Sequence, residues 1–133
     1  MRRRRWRRRD ERGSVSAELV IATPLLLLLV LGVVQFALWE HATHVAQAVA
    51  EEGLAAGRLA DGSQQAAVSE ADDLLYQLGS GVLVGAQVSA SRGAEVTTVV
   101  VSGEAEGVLP FFKLLVRSVA TGPTERFTSG GGP

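Results

Sequence analysis

The chain has 133 residues and no cysteine, a length that indicates one domain with extensions and a composition that excludes disulfides, cysteine-linked lipid anchors and thiolate metal sites. Its net charge of −1 hides a strong segregation of charge. Eight of the first twelve residues are arginine, whereas residues 14–133 carry five basic and 12 acidic side chains, a net charge of −7. Such an arm on an acidic body indicates a tail for nucleic acid or an anchor close to a membrane.

The basic arm, residues 1–13, leads into an uncharged segment. No charged side chain occurs in residues 19–39, and about 20 apolar residues span a bilayer core as a helix. We therefore predict a transmembrane helix over about 19–39, with Trp39 in an interfacial aromatic belt. Basic residues stay on the cytoplasmic side, so the leader is predicted to be cytoplasmic and the rest extracytoplasmic. The residues assigned to topology and lipid contact are Arg2, Arg3, Arg4, Arg5, Arg7, Arg8, Arg9 and Arg12.

A cleaved secretory signal is a competing interpretation of the apolar segment. The apolar core of such a signal is usually about 7–15 residues long, which is shorter than the segment here. Small-x-small patterns follow at 46–48 and 48–50, but they lie within a strongly helical stretch. Topology and lipid contact also explain the arginines more simply than nucleic-acid binding, because a basic run alone is a weak motif.

One long helix is predicted over residues 14–60. Its first half is apolar on every side, which is typical of a helix in lipid or in a core. Pro24 lies inside it and removes one backbone hydrogen bond, so a helix kink is predicted there. The second half becomes amphipathic, with small and apolar residues at the i, i+3, i+4 and i+7 spacing. These residues are Ala42, Val45, Ala46, Val49, Ala50 and Leu54.

A break at 61–63 separates this helix from a second one, predicted over 64–78. Ser63 is the predicted N-cap, because its hydroxyl can accept from a backbone N–H of the first turn. Apolar residues at helical spacing predict a stripe that faces a core. The stripe consists of Ala67, Val68, Ala71, Leu74, Leu75 and Leu78.

The remainder of the chain changes to strand periodicity. Alternation over 82–90 and the valine- and threonine-rich run 95–103 predict two strands, joined by a turn at 91–93 into an antiparallel hairpin. A proline makes 107–112 a predicted loop. Residues 114–121 are either a third strand or a helix, and strand is favoured. The alternation of the first strand places Val82, Val84, Ala86, Val88 and Ala90 on one face.

The predicted fold class is α+β, with a long N-terminal transmembrane and amphipathic helix, a second helix and a small antiparallel sheet of about three strands. After the leader and the long helix come a small extracytoplasmic α/β domain over 61–127 and a disordered tail over 128–133. Because a domain of this size has a modest core, the amphipathic half of the long helix is expected to pack on the sheet too.

No motif for catalysis or cofactor binding occurs in the sequence. The glycines at 79–85 lack the Lys-Ser/Thr of a phosphate loop, and there is no G-x-S-x-G elbow. His41 and His44 are three apart beside Glu40, but no third metal ligand converges on them. We therefore expect no enzyme activity, cofactor, metal, nucleic acid or small-molecule substrate.

An isolated acidic residue precedes the apolar run. Glu18 is the only charged residue between Arg12 and Glu40, and a carboxylate at the edge of a membrane is a functional candidate by default. It is the fifth residue counted from Ser14, and Gly13 ends the basic leader.

The segment RGSVSAELVIATPLLLLLV resembles the prepilin signal of type IV pilins. It is most similar to TadE-like pseudopilins of the tight-adherence (Flp, type IVb pilus) system, of the actinobacterial type. The later VQFALWEHATHVAQAVAEEGLAAGR and the closing GPTERF resemble that family as well, so the resemblance extends over most of 12–127. Major Flp pilins are usually much shorter, so the additional α/β part is typical of a minor pseudopilin with a pilin-like fold.

This resemblance implies that a prepilin peptidase cuts after Gly13 and leaves Ser14 as the mature N-terminus. Glu18 is then the assembly residue, whose charge pairs with the new amine on Ser14, commonly that of a neighbouring subunit. The implied partners are the peptidase, other pilin-like subunits, the Tad assembly platform and the membrane. The implied location is the cell membrane, crossed once.

Two other functions remain open at this stage. The chain could be an uncleaved single-pass protein whose extracytoplasmic domain binds a partner, with Glu18 incidental. It could also be a secreted protein released by signal peptidase. The mature N-terminus distinguishes these possibilities.

Overall fold

The computed structural model describes residues 11–127, so most of the predicted leader and the whole predicted tail lie outside it. Within residues 11–127, two helices and three strands follow one another. They are α1 (Glu11–Arg58), α2 (Gln64–Leu78), β1 (Leu83–Arg92), β2 (Val96–Ala105) and β3 (Leu115–Pro123). The strands form an antiparallel sheet of order β1-β2-β3, so the predicted α+β fold class is confirmed and the third element of the sheet is a strand.

The described residues cluster into two compact units, one that ends at Val34 and one that begins at Gln35. The described part of the first unit is the N-terminal portion of α1. This helix begins at Glu11, slightly before its predicted start, and is continuous through Pro24. The kink at Pro24 stays a prediction.

The core of the second unit lies where the C-terminal half of α1, α2 and the sheet meet. The predicted amphipathic face of α1 is confirmed: Leu54 is half-buried and the other predicted positions are buried, with Val49 and Ala50 at 0% exposure. They share one core with residues of α2, β1, β2 and β3. Because most of the α1 contribution is alanine and valine, the helix axis can lie close to its neighbours.

Two glycines extend this small-residue face towards the end of α1. A methyl group at Gly53 would lie 2.8 Å from the carbonyl oxygen of Ala67, and one at Gly57 would lie 2.7 Å from the Cβ of Ala67. Both positions therefore require a residue without a side chain, since real Cβ atoms do not approach other atoms so closely. The contact between α1 and α2 depends on them.

The second helix confirms most of its predicted features. Ser63 is the N-cap, and its Oγ accepts a hydrogen bond of 3.0 Å from the Ala66 backbone N–H. Within the predicted stripe, Ala67 and Ala71 are fully buried. The assignment of Leu78 to the stripe is wrong, because α2 ends there and the side chain is 46% exposed.

A β-bulge in β1 changes which side chains face the core. Val84 was predicted on the same face as Ala86 and Val88 but is exposed, whereas Leu83 is buried. The pairing with β2 shifts between Val84 and Gln87, and Gly85 there has a φ of 60°. One extra residue in a strand reverses the alternation, and glycine adopts this positive φ at low cost. Of the predicted face, Val84 alone is exposed, whereas Val82, Ala86, Val88 and Ala90 are half-buried and pack against the core.

Side chains and backbone from the sheet satisfy carbonyl groups at the end of α1. Arg92 donates from Nε to the Gly57 carbonyl oxygen at 2.8 Å and from Nη2 to that of Leu59 at 2.9 Å. After β3, the backbone N–H of Glu125 donates to the Arg58 carbonyl oxygen at 2.7 Å. The last carbonyls of a helix lack intrahelical donors, so these bonds replace the missing ones.

The β2–β3 loop (residues 106–114) is attached to α1 by a buried glutamine. Gln35 is 2% exposed, and its Oε1 accepts from the backbone N–H groups of Val108 at 2.9 Å and Leu109 at 3.3 Å. Its Nε2 has no hydrogen-bond partner within the described part of the chain. A second contact follows one turn later, where Trp39 Nε1 donates to the Leu115 carbonyl oxygen at 3.2 Å.

Replacing Gly57 by alanine should destabilise the second unit. The added methyl would meet the Ala67 Cβ and, at 3.3 Å, the Thr97 Cγ2, and overpacking of this kind costs about 1–3 kcal/mol. Unfolding of the detergent-solubilised protein by denaturant, followed by near-ultraviolet circular dichroism, measures the change. Gly32→Ala is the matched control, because nothing lies within 4 Å of its added methyl. Equal stability of the two variants would contradict this packing.

Replacing Gln35 by alanine should loosen the β2–β3 loop. It leaves two part-buried backbone N–H groups without their protein acceptor, and a lost hydrogen bond of this kind costs about 0.5–1.5 kcal/mol. Amide hydrogen exchange at Val108 and Leu109 should accelerate, while exchange in β1 changes little. Gln47→Ala removes an exposed glutamine of the same helix and should leave both rates unchanged. Unaltered exchange at the loop in Gln35→Ala would refute the anchoring role.

Candidate functional site

The predicted cleavage site lies in the first turn of α1. Gly13 is exposed, and α1 contains both Gly13 and Ser14. Glycine weakens a helix by about 1 kcal/mol relative to alanine, so Gly13 lowers the cost of opening the helix at the predicted cleavage bond.

Glu18 lies one helical turn beyond the predicted new N-terminus. Ser14 and Glu18 are four residues apart in α1, a spacing of about one helical turn. The rise of an α-helix separates their Cα atoms by about 6 Å along its axis. Glu18 is exposed. The helix thus brings together the two positions that the prepilin resemblance pairs, and leaves the carboxylate open to a second chain.

The apolar surface that follows Glu18 is uncovered. Val20 is 74% and Leu25 is 66% exposed. Only 6% of its most apolar stretch is buried, so this part of α1 does not form a core with the other described residues. Contiguous exposed apolar surface of this kind indicates a lipid or protein environment. By length and composition, the helix could span a membrane.

Gln35 marks where α1 enters the folded unit, and sequence reasoning did not identify it as an anchor. It falls within the predicted span of 19–39 as one of the most polar residues there, which was the available signal. Trp39, predicted in an aromatic belt, is half-buried, with its ring centroid 5.7 Å from that of Phe36. The hydrogen-bond partners of Gln35 and Trp39 lie more than 70 residues away in sequence, so helical periodicity could not predict these contacts.

The polar residues after the apolar segment form a simple surface pair. His44 Nε2 lies 3.1 Å from Glu40 Oε1 on successive turns of α1, and both side chains are exposed. His41 is exposed as well. Across residues 11–127, no group of three or more histidine, aspartate or glutamate side chains is placed to hold a metal ion.

Comparison with known proteins identifies the N-terminal segment. Residues 13–54 match the family model described as TadE-like protein. No curated protein and no solved structure matches the chain. The family match begins at the predicted cleavage glycine and ends within α1, so it includes no residue of α2 or the sheet. The actinobacterial type stays a prediction. The segment 13–54, which holds Glu18 and the exposed apolar surface of α1, is thus similar to TadE-like proteins.

Proposed function

We propose that the protein is a minor pseudopilin of a tight-adherence pilus, cleaved after Gly13 and assembled through α1. The TadE-like match indicates a Tad pilus-associated protein with an apolar N-terminal helix. The observation that carries the proposal is the position of Glu18, exposed at the start of an uncovered apolar helix and one turn from Ser14. A bilayer alone needs no carboxylate at that position.

The leader controls when α1 can move. While residues 1–13 are attached, their arginines hold the N-terminal end of α1 at the cytoplasmic surface. Moving one arginine to the bilayer centre costs about 2.5–3.5 kcal/mol on insertion scales, and the leader has eight. Cleavage removes this barrier at once. It also removes eight arginines together with Asp10 and Glu11, and leaves the α-amino group of Ser14 as the new terminal charge.

The new amine on Ser14 supplies a positive charge that can pair with the Glu18 carboxylate. When α1 helices bundle, both groups leave water, and an isolated buried charge is very costly. Pairing offsets that cost only if the geometry is good, and removal of one partner strands the other. A subunit whose Glu18 meets the amine of a neighbour is therefore fixed in axial register. The uncovered apolar surface of α1 would then pack against other pilin-like helices.

The proposed topology follows from the same elements. The leader is cytoplasmic, α1 crosses the membrane once, and α2 with the sheet is extracytoplasmic. The partners are a prepilin peptidase, other pilin-like subunits and the Tad assembly platform. The alternative is a single-pass membrane-anchored protein that is never cleaved and binds a partner through its extracytoplasmic domain.

Processing is tested by co-expression with a prepilin peptidase and mass spectrometry of the purified chain. The expected N-terminus is Ser14, and Gly13→Leu should abolish its formation because a bulky side chain blocks the cleavage position. Gly32→Leu changes a glycine of the same helix and should be processed normally. A chain that still starts at Met1 or Arg2 would support the uncleaved anchor. A start near residues 47–51 would support secretion instead.

Assembly is tested with Glu18→Gln, which removes the charge and keeps the shape. Cleavage after Gly13 should continue, whereas co-purification with pilin-like subunits should fall at least about tenfold, equivalent to 1.4 kcal/mol. Glu40→Gln neutralises another exposed glutamate of α1 and should leave co-purification unchanged. If Glu18→Gln assembles as well as the parent chain, charge pairing is not the basis of register.

A further inference from the structure

The β2–β3 loop has a concentrated exposed apolar surface. Phe111 is 95% and Phe112 is 58% exposed, and Val108 and Leu115 beside them are exposed too. Pro110 adds a further residue without a polar side chain. Adjacent exposed phenylalanines are unfavourable in water and mark a surface that another phase or molecule covers.

This loop is fixed at the residue where α1 enters the folded unit. The hydrogen bonds from Val108 and Leu109 end on Gln35. Gln35 follows Val34 directly in the chain, and Val34 ends the unit that contains the exposed apolar part of α1. If that part of α1 lies in a membrane, chain continuity places Gln35, and with it the loop, at the boundary of the hydrocarbon.

The backbone of the loop is suited to that boundary. Irregular backbone is tolerated at membrane depth when its polar groups are satisfied within the protein. Val108 and Leu109 donate to Gln35, Phe112 donates to the Leu109 carbonyl oxygen at 3.1 Å, and a proline has no N–H to satisfy. The phenylalanines therefore lie on a turn in which several backbone N–H groups already donate to acceptors within the protein.

Two charged residues of the loop flank its apolar tip, Glu106 before it and Lys113 after it. Lys113 follows Phe112, and its Nζ lies 3.5 Å from Glu104 Oε2 at the end of β2. Apolar and aromatic side chains at a membrane surface enter the headgroup and acyl boundary by about 5–10 Å, while neighbouring lysines stay at the headgroups. The order of residues in this loop, apolar tip and then lysine, matches that arrangement.

We propose that residues 108–112 insert into the lipid interface on the extracytoplasmic side, as a second membrane contact beside α1. Lipid, and not a second protein, is the occupant, because the loop is held where the apolar helix meets the folded unit. The proposal rests on the membrane anchoring in the proposed function. The loop then sets how deep α1 sits, and it must leave the lipid when a subunit is withdrawn into a filament.

The absence of native cysteine allows a direct test in the full chain. Single-cysteine variants Phe111→Cys and Val108→Cys report on the loop and carry an environment-sensitive fluorophore. Leu25→Cys reports on the apolar helix, and Tyr76→Cys is the control for a side chain of the second unit that is 85% exposed. Each protein is reconstituted into phosphatidylcholine–phosphatidylglycerol vesicles with or without lipid brominated on its acyl chains.

Quenching by brominated lipid should be strong at residue 25 and at least about twofold greater at 108 and 111 than at 76, as expected for an insertion depth of about 5–10 Å. Quenching at 25 with none at 108 and 111 would overturn the inference and leave the membrane anchor intact. No quenching at 25 would refute the anchor itself, and the loop proposal with it. The fluorophore at 108 or 111 could instead report an apolar environment only at high protein-to-lipid ratio and without quenching by brominated lipid. That result would identify a second copy as the occupant and overturn the lipid assignment.

Discussion

The small-residue face of α1 is the constraint on which the folded unit depends. Alanines in the middle of this face and glycines near its end let α2 and the sheet approach the helix closely, and Gly53 and Gly57 leave no room for a methyl group. A core of large side chains would have pushed these elements apart. Because the unit is small, α1 shares one core with both α2 and the sheet, and it contributes mainly small residues to that core. The same helix continues as the exposed apolar segment, so this segment and the folded unit share one element.

The helices and the strands were predictable because their signals are local. Helical spacing gave α2 with its cap at Ser63, and period-two alternation gave the hairpin. The TadE-like segment was predictable because the count from Gly13 to Glu18 and the apolar run that follows need no tertiary information. Family comparison confirms that segment over 13–54.

The errors arise where tertiary geometry overrides a local pattern. The bulge at Gly85 inserts one residue, so Val84 points away from the face that alternation assigned to it. Leu78 continues the apolar spacing of α2, yet the helix ends before another turn could bury it. Gln35 resembles an ordinary polar interruption in an apolar run. Its role depends on a loop more than 70 residues later, and no periodicity in the sequence connects the two.

Charge explains how one sequence can serve two stages of the proposed life cycle. In the proposed precursor, the arginine leader would hold the apolar helix in the membrane, since positive charge at one end opposes movement across the bilayer. Loss of the leader would leave a helix whose remaining N-terminal charges are complementary. The sheet domain stays constant through this change, because its core lies in residues that cleavage does not touch.

The bonds at the end of α1 also have a mechanical consequence. Tension applied to the apolar segment would enter the folded unit at Gln35 and run along the helix towards Gly57. Arg92 holds the carbonyls of Gly57 and Leu59, and the backbone of Glu125 holds that of Arg58, so β1 and the segment after β3 both grip the far end of the helix. The load would therefore be shared between β1 and the segment that follows β3, and both would resist separation of the helix end from the sheet.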